Sequence, residues 1–286
     1  MSAPLVALCV IPHRIVTFEN RLVQVRSAIT RAAQRGARLI CFPEYLGQQR
    51  VKETIAAKHR QMFSTAEPFP GGRLETLVRE SCARHRIGAL FNMGAKEDGK
   101  GFNVTVSVSS RGKVLGTYRK THLAHTESDQ DRMTPGNELH LTPTEIGPAG
   151  IIVCCEITFP EIARSYQALG ASFLYDPSAG NSDEYFTMAR ARACETYTPM
   201  IFSSYQVYPG RTGCAGAFIS STGAVLKRRT YRPGLIHERL ELSPFKCSPY
   251  WNRSRPRVDM RRYTWKRRRP SLYHVFPEAA CCAEGS

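Results

Sequence analysis

One stretch of the chain decides the fold: Gly150-Ile151-Ile152-Val153-Cys154-Cys155-Glu156-Ile157-Thr158-Phe159-Pro160-Glu161. Its apolar, β-rich beginning predicts a strand over 149–154, and the following residues predict a helix over 160–169 that stops at Gly170. A thiol, Cys154, thus stands at the end of a buried strand. Reactive side chains gather at strand ends in open α/β folds, so this stretch predicts an α/β unit with a candidate nucleophile.

Strand and helix signals alternate in both directions from this stretch. Apolar runs predict strands over 5–11, 38–42, 87–93, 103–109, 113–118, 172–175 and 200–206. Helical spacing predicts helices over 20–34, 73–85 and 186–197. The tripeptide Ser221-Thr222-Gly223 predicts the turn of a hairpin over 217–226. This mixture of crossovers and hairpins predicts an α/β sandwich with helices outside packed sheets. No signal for a domain boundary occurs before about residue 243.

The composition is that of a globular chain. Of the 286 residues, 42% are hydrophobic and 22% are charged, which excludes a disordered or collagen-like protein. No apolar run reaches the roughly 18 residues of a membrane-spanning helix. Residues 1–12 lack a basic region and are interpreted as a first strand instead of a signal peptide. We therefore expect a cytoplasmic protein whose ten cysteines are free thiols.

Charge is concentrated near the C-terminus. The chain has a net charge of +16, and half of that excess lies between Asn252 and Arg269, where Asp259 is the single acidic residue. Two aromatic residues, Tyr263 and Trp265, lie among the arginines, a pattern that suits phosphate contact and base stacking. No nucleic-acid-binding module accompanies the run, so it is interpreted as a basic extension. Binding of nucleic acid or of an acidic partner remains an alternative.

Three polar residues interrupt or end apolar runs. Glu44 follows Leu39-Ile40-Cys41-Phe42-Pro43, Lys120 follows the predicted strand over 113–118, and Cys154 ends the run before it. A thiol needs a base to become a good nucleophile, a carboxylate can supply that base, and a cation can stabilise an oxyanion. Together the three residues form a coherent catalytic set, although any strand can end in Glu or Lys.

Three local motifs resemble those of the nitrilase (carbon–nitrogen hydrolase) superfamily. They are Cys41-Phe42-Pro43-Glu44-Tyr45, Tyr118-Arg119-Lys120-Thr121-His122-Leu123 and the stretch from Cys154 to Glu161, and they occur in the order and at the separations of that family. The resemblance extends from about residue 5 to 275. It implies a four-layer α-β-β-α sandwich as one hydrolase domain over 1–275, with an irregular basic extension over 243–275 and a tail over 276–286.

The resemblance also implies a role for each motif residue. Cys154 would be the nucleophile that attacks an amide or nitrile carbon. Glu44 would be the general base that takes the thiol proton and later activates water. Lys120 would stabilise the tetrahedral oxyanion together with the backbone N–H of Cys155. Cys154, and not Cys155, stands two residues before Glu156, as the motif requires.

Many members of the superfamily carry a second glutamate close to the lysine. The candidate is Glu127, which lies seven residues after Lys120 and nine before Gly136. Asp129 is the competing candidate. Two carboxylates beside one ammonium would keep the lysine charged while a proton moves between the other groups.

The neighbours of these residues supply candidate pocket residues and two departures from the family pattern. The candidate substrate-binding residues are Tyr45, Phe159, Ser178 and Ala179. Cys155 stands where Tyr or Trp is common, and Thr158 stands where many amidases have Arg. The absence of the Cys-Trp-Glu sequence usual in true nitrilases favours amide over nitrile hydrolysis. His122 and His125 are interpreted as structural, because no further ligands complete a metal site.

The sequence therefore predicts a hydrolase of non-peptide C–N bonds in a small amide or N-carbamoyl compound. The reaction would use a Cys-Glu-Lys triad and a thioester intermediate, release ammonia or an amine, and need neither a metal nor an organic cofactor. The resemblance implies a homo-oligomer. The alternatives are a nitrilase, an amide-forming acyltransferase on the same fold, or a binding protein that uses the basic segment.

Overall fold

The computed structural model describes residues 3–12, 16–47, 65–130, 133–247 and 257–269. The chain divides into two compact units, 1–243 and 244–286. The described part of the first unit contains, in chain order, β1 (Leu5–Val10), α1 (Phe18–Gln34), β2 (Leu39–Cys41), β3 (Glu67–Pro68), α2 (Arg73–His85), β4 (Gly88–Glu97), β5 (Lys100–Val108), β6 (Val114–Arg119), a π-helical turn (Thr126–Gln130), β7 (Ala149–Ile151), a 3-10 turn (Cys154–Thr158), α3 (Pro160–Leu169), β8 (Phe173–Pro177), α4 (Asp183–Thr196), β9 (Met200–Ser203), β10 (Gly216–Ile219), β11 (Val225–Arg229) and β12 (Gly234–Arg239).

These strands form two mixed sheets. The first has the order β12-β1-β2-β4-β5-β6, with β3 beside β4, and the second has the order β11-β10-β9-β8-β7. The pairs β1–β2, β2–β4, β3–β4, β7–β8 and β8–β9 are parallel. The pairs β12–β1, β4–β5, β5–β6, β9–β10 and β10–β11 are antiparallel. The sequence prediction of combined crossovers and hairpins is confirmed.

The alternation of side chains along each strand creates the layers. In β1, Val6 and Leu8 join the core cluster that contains Phe173 and Tyr175 of β8, so this cluster lies between the sheets. The intervening residue, Ala7, joins a second cluster that contains the apolar face of α1. Because successive strand residues point to opposite faces, one strand contributes to both clusters.

The helices cover the outer faces of the two sheets. α1 and α2 pack on the first sheet, and α3 and α4 pack on the second. Thr17 caps α1 by accepting the Asn20 N–H at 3.2 Å, and Gly170, with φ of 89°, ends α3 in a left-handed conformation. The result is the predicted four-layer α-β-β-α sandwich. No helix in the described ranges is long and apolar enough to cross a membrane.

The predicted bounds of two helices are confirmed at Arg73–His85 and Pro160–Leu169. The predicted strand over 149–154 is wrong at its end, because β7 stops at Ile151 and Cys154 begins the 3-10 turn. The physical reason is the carboxylate of Glu156, which accepts the Val153 N–H at 2.8 Å and turns the chain away from the sheet. The nucleophile candidate therefore lies on a turn beyond the strand.

The second unit is more regular than predicted. β13 (Lys246–Cys247) pairs with β14 (Val258–Asp259), and α5 (Met260–Lys266) follows. The prediction of an irregular extension over 243–275 is wrong for these residues, because Asp259 caps α5 by accepting the Arg261 N–H at 2.9 Å. Arg267 and Arg268 lie over the rings of Tyr263 and Trp265 at 4.5 and 4.1 Å from the ring centroids. Residues 248–256 and 270–286, including the predicted tail, lie outside the described residues.

Candidate active site

The predicted site residues follow strands of both sheets. Glu44 and Tyr45 lie beyond β2, Lys120 lies directly after β6, Cys154 lies beyond β7, and Ser178 directly follows β8. The carboxyl ends of parallel strands meet at one edge of a sheet, which is where α/β proteins place their ligand sites. Loops from two packed sheets can therefore bring these side chains together.

An ammonium between two carboxylates forms the centre of the site. Lys120 Nζ lies 3.1 Å from Glu44 Oε1 and 2.7 Å from Glu127 Oε2. All three side chains are buried, with exposed fractions of 1–3%. The structure thus brings the predicted second glutamate into contact with the lysine. The side chain of the competing candidate, Asp129, lies outside the described part of the structure.

Asn103 connects the two carboxylates through a single amide group. Its Nδ2 donates to Glu44 Oε1 at 2.9 Å and to Glu127 Oε1 at 2.7 Å. Its Oδ1 accepts a hydrogen bond from Asn92 Nδ2 at 2.7 Å, and Asn92 Oδ1 accepts the backbone N–H of Tyr45 at 2.8 Å. Because both asparagines lie inside neighbouring strands, the rigid sheet fixes the positions of the carboxylates.

The charges of this cluster stabilise one another. Burial by itself disfavours the ammonium, but Glu44 and Glu127 outweigh it and hold the pKa of Lys120 well above its usual value. Burial likewise disfavours the carboxylate of Glu127, but Lys120, Tyr45 and Asn103 lower its pKa below the ordinary value. Lys120 is therefore a permanent cation in the working pH range, as an oxyanion-stabilising group must be.

Cys154 is held in an unusual backbone conformation. Its φ is 52°, in the left-handed region that residues with a Cβ rarely adopt. Its N–H donates to Asp176 Oδ1 at 3.1 Å, and its side chain is half-buried. Burial raises the pKa of the thiol, the charge of Glu44 raises it further, and Lys120 and a hydrogen bond with Ser178 lower it. A protonated thiol is a poor nucleophile, so Cys154 would need a base in order to react as one.

Cys155 follows Cys154 in the same 3-10 turn. Its Sγ donates to the backbone carbonyl of His122 at 3.4 Å, and burial raises its pKa to about 11. Its N–H belongs to the first turn of the 3-10 segment, where backbone donors have no partner within the helix. Such a donor beside the candidate nucleophile Cys154 has the chemistry of an oxyanion hole.

Glu156 organises the loops around both thiols. Its Oε1 accepts hydrogen bonds from Tyr118 Oη and the backbone N–H of Thr121, both at 2.8 Å, and its Oε2 accepts the Val153 N–H at 2.8 Å. Burial opposes its charge, yet hydrogen bonds from His122 and these groups lower its pKa. One carboxylate thus ties the segment after Lys120 to the turn that carries Cys154.

The candidate pocket residues separate into two groups. Three lie within the cluster: the Tyr45 hydroxyl donates to Glu127 Oε1, the Ala179 N–H donates to Glu44 Oε2 at 2.9 Å, and the Ser178 side chain is hydrogen-bonded to the Cys154 thiol. Phe159 is not brought into it. Its side chain is 40% exposed and stacks on the His122 ring, with 4.5 Å between the ring centroids.

Three residues of the cluster were not among the predicted site residues. They are Asn103, Asp176 and Tyr205, whose hydroxyl donates to the Glu44 carbonyl at 2.7 Å. For Asn103 the available signal was an amide on the polar side of an alternating strand, in line with Thr105 and Ser107, and for Asp176 a carboxylate directly before Pro177. Within the described ranges, no three His, Cys, Asp or Glu side chains form a group that could hold a metal ion.

The sequence model of carbon-nitrogen hydrolases matches residues 5–236. The chain therefore belongs to the carbon-nitrogen hydrolase family, and the expected reaction class is confirmed.

Relatives and solved structures of this family are similar over most of the chain. Human deaminated glutathione amidase is 28% identical over 94% of this chain and 84% of its own length. An omega-amidase of Xenopus tropicalis is 26% identical over 58% of this chain and 62% of its own length. Among solved structures, an amidase of the nitrilase superfamily from Nesterenkonia AN1 superposes with a TM-score of 0.71 at 20% identity, covering 95% of this chain and 96% of that one. The predicted nitrilase-type fold is thereby confirmed.

Proposed function

We propose that this protein hydrolyses the C–N bond of a small amide or N-carbamoyl compound, with Cys154 as nucleophile, Glu44 as general base and Lys120 as oxyanion-stabilising cation. The observation that carries the proposal is the buried contact of one ammonium with two carboxylates beside a half-buried thiol. A purely structural ion pair has no need of a second carboxylate or of a neighbouring nucleophile. The amidase names of the relatives support the choice of amide over nitrile.

The first half of the reaction forms a thioester. Glu44 takes the thiol proton as Cys154 Sγ attacks the amide carbon, and the carbonyl π electrons move to its oxygen. The ammonium of Lys120 and the N–H of Cys155 stabilise that oxyanion. When the oxyanion collapses, the C–N bond breaks and the proton on Glu44 passes to the leaving nitrogen. Ammonia or an amine departs, and the acyl group remains on sulfur.

The second half restores the enzyme. Glu44, now a carboxylate again, takes a proton from water as the water oxygen attacks the thioester carbon. The C–S bond then breaks, and the proton on Glu44 returns to sulfur, so the carboxylic acid leaves and the thiol is regenerated. Glu127 takes no proton in this scheme. With Asn103 and Tyr45 as donors, it keeps Lys120 charged and fixed.

Two variants of the reaction use the same groups. With a nitrile, the thiol would add to the triple bond, and with an amine in place of water, acyl transfer would form a new amide. Cys155 stands where true nitrilases usually have Trp, and this departure from the nitrilase pattern favours the amide reaction. We further propose, on the resemblance alone, that the protein is a cytoplasmic homo-oligomer. The basic segment 252–269 takes no part in the proposed reaction.

The test is ammonia release from a panel of small amides, N-carbamoyl compounds and nitriles, measured for the unaltered protein, Cys154→Ala and Cys155→Ala. The two variants are matched controls because they remove adjacent thiols of the same turn. We expect release from an amide or N-carbamoyl compound that is abolished in Cys154→Ala and largely retained in Cys155→Ala. Equal loss in both folded variants, or release from nitriles alone, would contradict the proposal.

A further inference from the structure

Asp176 is a buried carboxyl group to which the proposed reaction assigns no part. It lies on β8, its side chain is inaccessible to solvent, and its Oδ1 accepts the Cys154 N–H at 3.1 Å. Its Oδ2 is buried and has no hydrogen-bond partner within the described residues. A buried carboxyl oxygen without a partner is rare, because burying a polar group without a hydrogen bond is unfavourable.

The hydrogen bond to Asp176 acts on a strained part of the chain. Cys154 has a φ of 52°, a conformation in which the Cβ of an L-residue crowds its own backbone. Such conformations persist only where the surroundings hold them, and they concentrate at functional sites. The hydrogen bond from the Cys154 N–H to Asp176 is a restraint that does this. If it were lost, the backbone could relax and the thiol would be aimed differently.

The surroundings of Asp176 oppose a negative charge. The charged groups that influence it are the carboxylates of Glu44 and Glu156 and the ammonium of Lys120, which already contacts two carboxylates. No salt bridge to Asp176 occurs in the described part of the chain. An ionised carboxylate buried without a cation takes up a proton instead. In agreement, burial holds the pKa of Asp176 well above its usual value.

We propose that Asp176 is a positioning residue that works as a neutral carboxylic acid, fixing the backbone of Cys154 through Oδ1 while adding no negative charge beside the thiol. The proposal rests on the proposed function, because it concerns the aim of Cys154. Neutrality matters, since a further anion would oppose formation of the thiolate during attack. Oδ1 supplies the acceptor that the strained N–H requires, and the proton on Oδ2 removes the charge.

Three substitutions test the proposal. Asp176→Asn keeps an acceptor oxygen, replaces the proposed Oδ2–H with a neutral N–H donor and carries no charge. Asp176→Leu keeps the approximate shape and removes the acceptor. Asp98→Asn makes the same chemical change as the first variant at an exposed residue of the β4–β5 turn, and serves as the matched control.

The first readout is steady-state kinetics on an amide substrate identified by the panel. We expect Asp176→Asn and Asp98→Asn to retain most of the activity. Asp176→Leu should lose kcat by about 10²-fold with little change in KM, because a displaced nucleophile affects attack more than binding. An Asp176→Asn variant as inactive as Asp176→Leu would overturn the proposal.

The second readout is the pH dependence of alkylation of Cys154 by iodoacetamide, followed by mass spectrometry of its peptide in the Cys155→Ala background. A neutral Asp176 predicts the same apparent thiol pKa in Asp176→Asn as in the parent. A fall of about one unit or more would show that an ionised Asp176 had been raising the thiol pKa, and would overturn the proposal. Should Asp176→Leu fail to fold, this comparison decides alone. Turnover by Cys154→Ala would instead refute the proposed function.

Discussion

Replacing Glu127 with Gln is the most informative single perturbation of the cluster. Each carboxylate oxygen of Glu127 accepts two hydrogen bonds: Oε1 from Tyr45 and Asn103, and Oε2 from Lys120 and the Ala124 N–H. An amide has one acceptor oxygen, so its NH₂ group must face two donors in either rotamer. The Tyr45 hydroxyl can turn to accept, but Asn103 cannot turn without losing its bonds to Glu44 and Asn92.

The expected loss of stability in Glu127→Gln follows from the buried groups that lose a partner. Lys120, 1% exposed, loses its shorter ion pair at 2.7 Å, and a donor of Asn103 loses its acceptor. Lys120 keeps its ion pair with Glu44 at 3.1 Å, so the cost is that of an unpaired buried donor, about 1–3 kcal/mol of the free energy of unfolding. At about 2–4 °C per kcal/mol for a domain of this size, the Tm should fall by roughly 2–12 °C.

The assay is thermal and urea unfolding at pH 7 of Glu127→Gln beside Glu80→Gln, which makes the same change at an exposed position on α2. We expect the control to keep the stability of the unaltered protein. Ammonia release by Glu127→Gln, measured below its Tm, should also fall, because Lys120 is less firmly held. A Glu127→Gln variant as stable and as active as the control would refute the reasoning about this ion pair.

Two further substitutions test the supports of the site. Asn103→Leu removes the amide that bridges Glu44 and Glu127, and should lower both kcat and the free energy of unfolding. The free energy of unfolding should fall by about 1–3 kcal/mol for each group left unpaired. An unchanged kcat in a thermally stable variant would argue against a positioning role for Asn103. Glu156→Gln tests the stability of the protein in acid. Because the pKa of Glu156 is lower in the folded protein than its ordinary value of 4.5, its carboxylate stabilises the fold above about pH 4.5. That contribution is lost as the pH falls through the folded pKa. Its urea midpoint should therefore fall less than that of the unaltered protein between pH 5 and pH 3, and equal acid slopes would contradict the assignment.

The sequence predicted the architecture because the fold depends on patterns that are local in the chain. The bounds of Arg73–His85 and Pro160–Leu169 follow from apolar spacing, from Pro160 at the first helical position, and from Gly170 at the C-terminus. The alternating faces of β1 likewise follow from strand periodicity. The end of β7 could not be predicted, because the hydrogen bond from the Val153 N–H to Glu156 competes with the ladder only once the turn has formed.

In the candidate site, too, residues in local motifs were predicted, whereas residues defined by distant contacts were not. Glu44, Lys120 and Cys154 were identified because each stands in a motif of its own, and Glu127 by its spacing from Lys120. Asn103 and Asp176 had only weak signals in the sequence, because their importance depends on contacts across 59 and 22 residues of the chain. Phe159 was placed in the pocket because of its neighbours in the sequence, yet it lies 40% exposed on His122.

In the proposed reaction, catalysis proceeds through an acyl group on Cys154. The most direct measurement is intact-protein mass spectrometry of enzyme quenched in acid during turnover of an amide. We predict an added mass equal to the acyl group on the unaltered protein and on Cys155→Ala, and none on Cys154→Ala. Persistence of the adduct on Cys154→Ala, or continued ammonia release by that variant, would contradict the account.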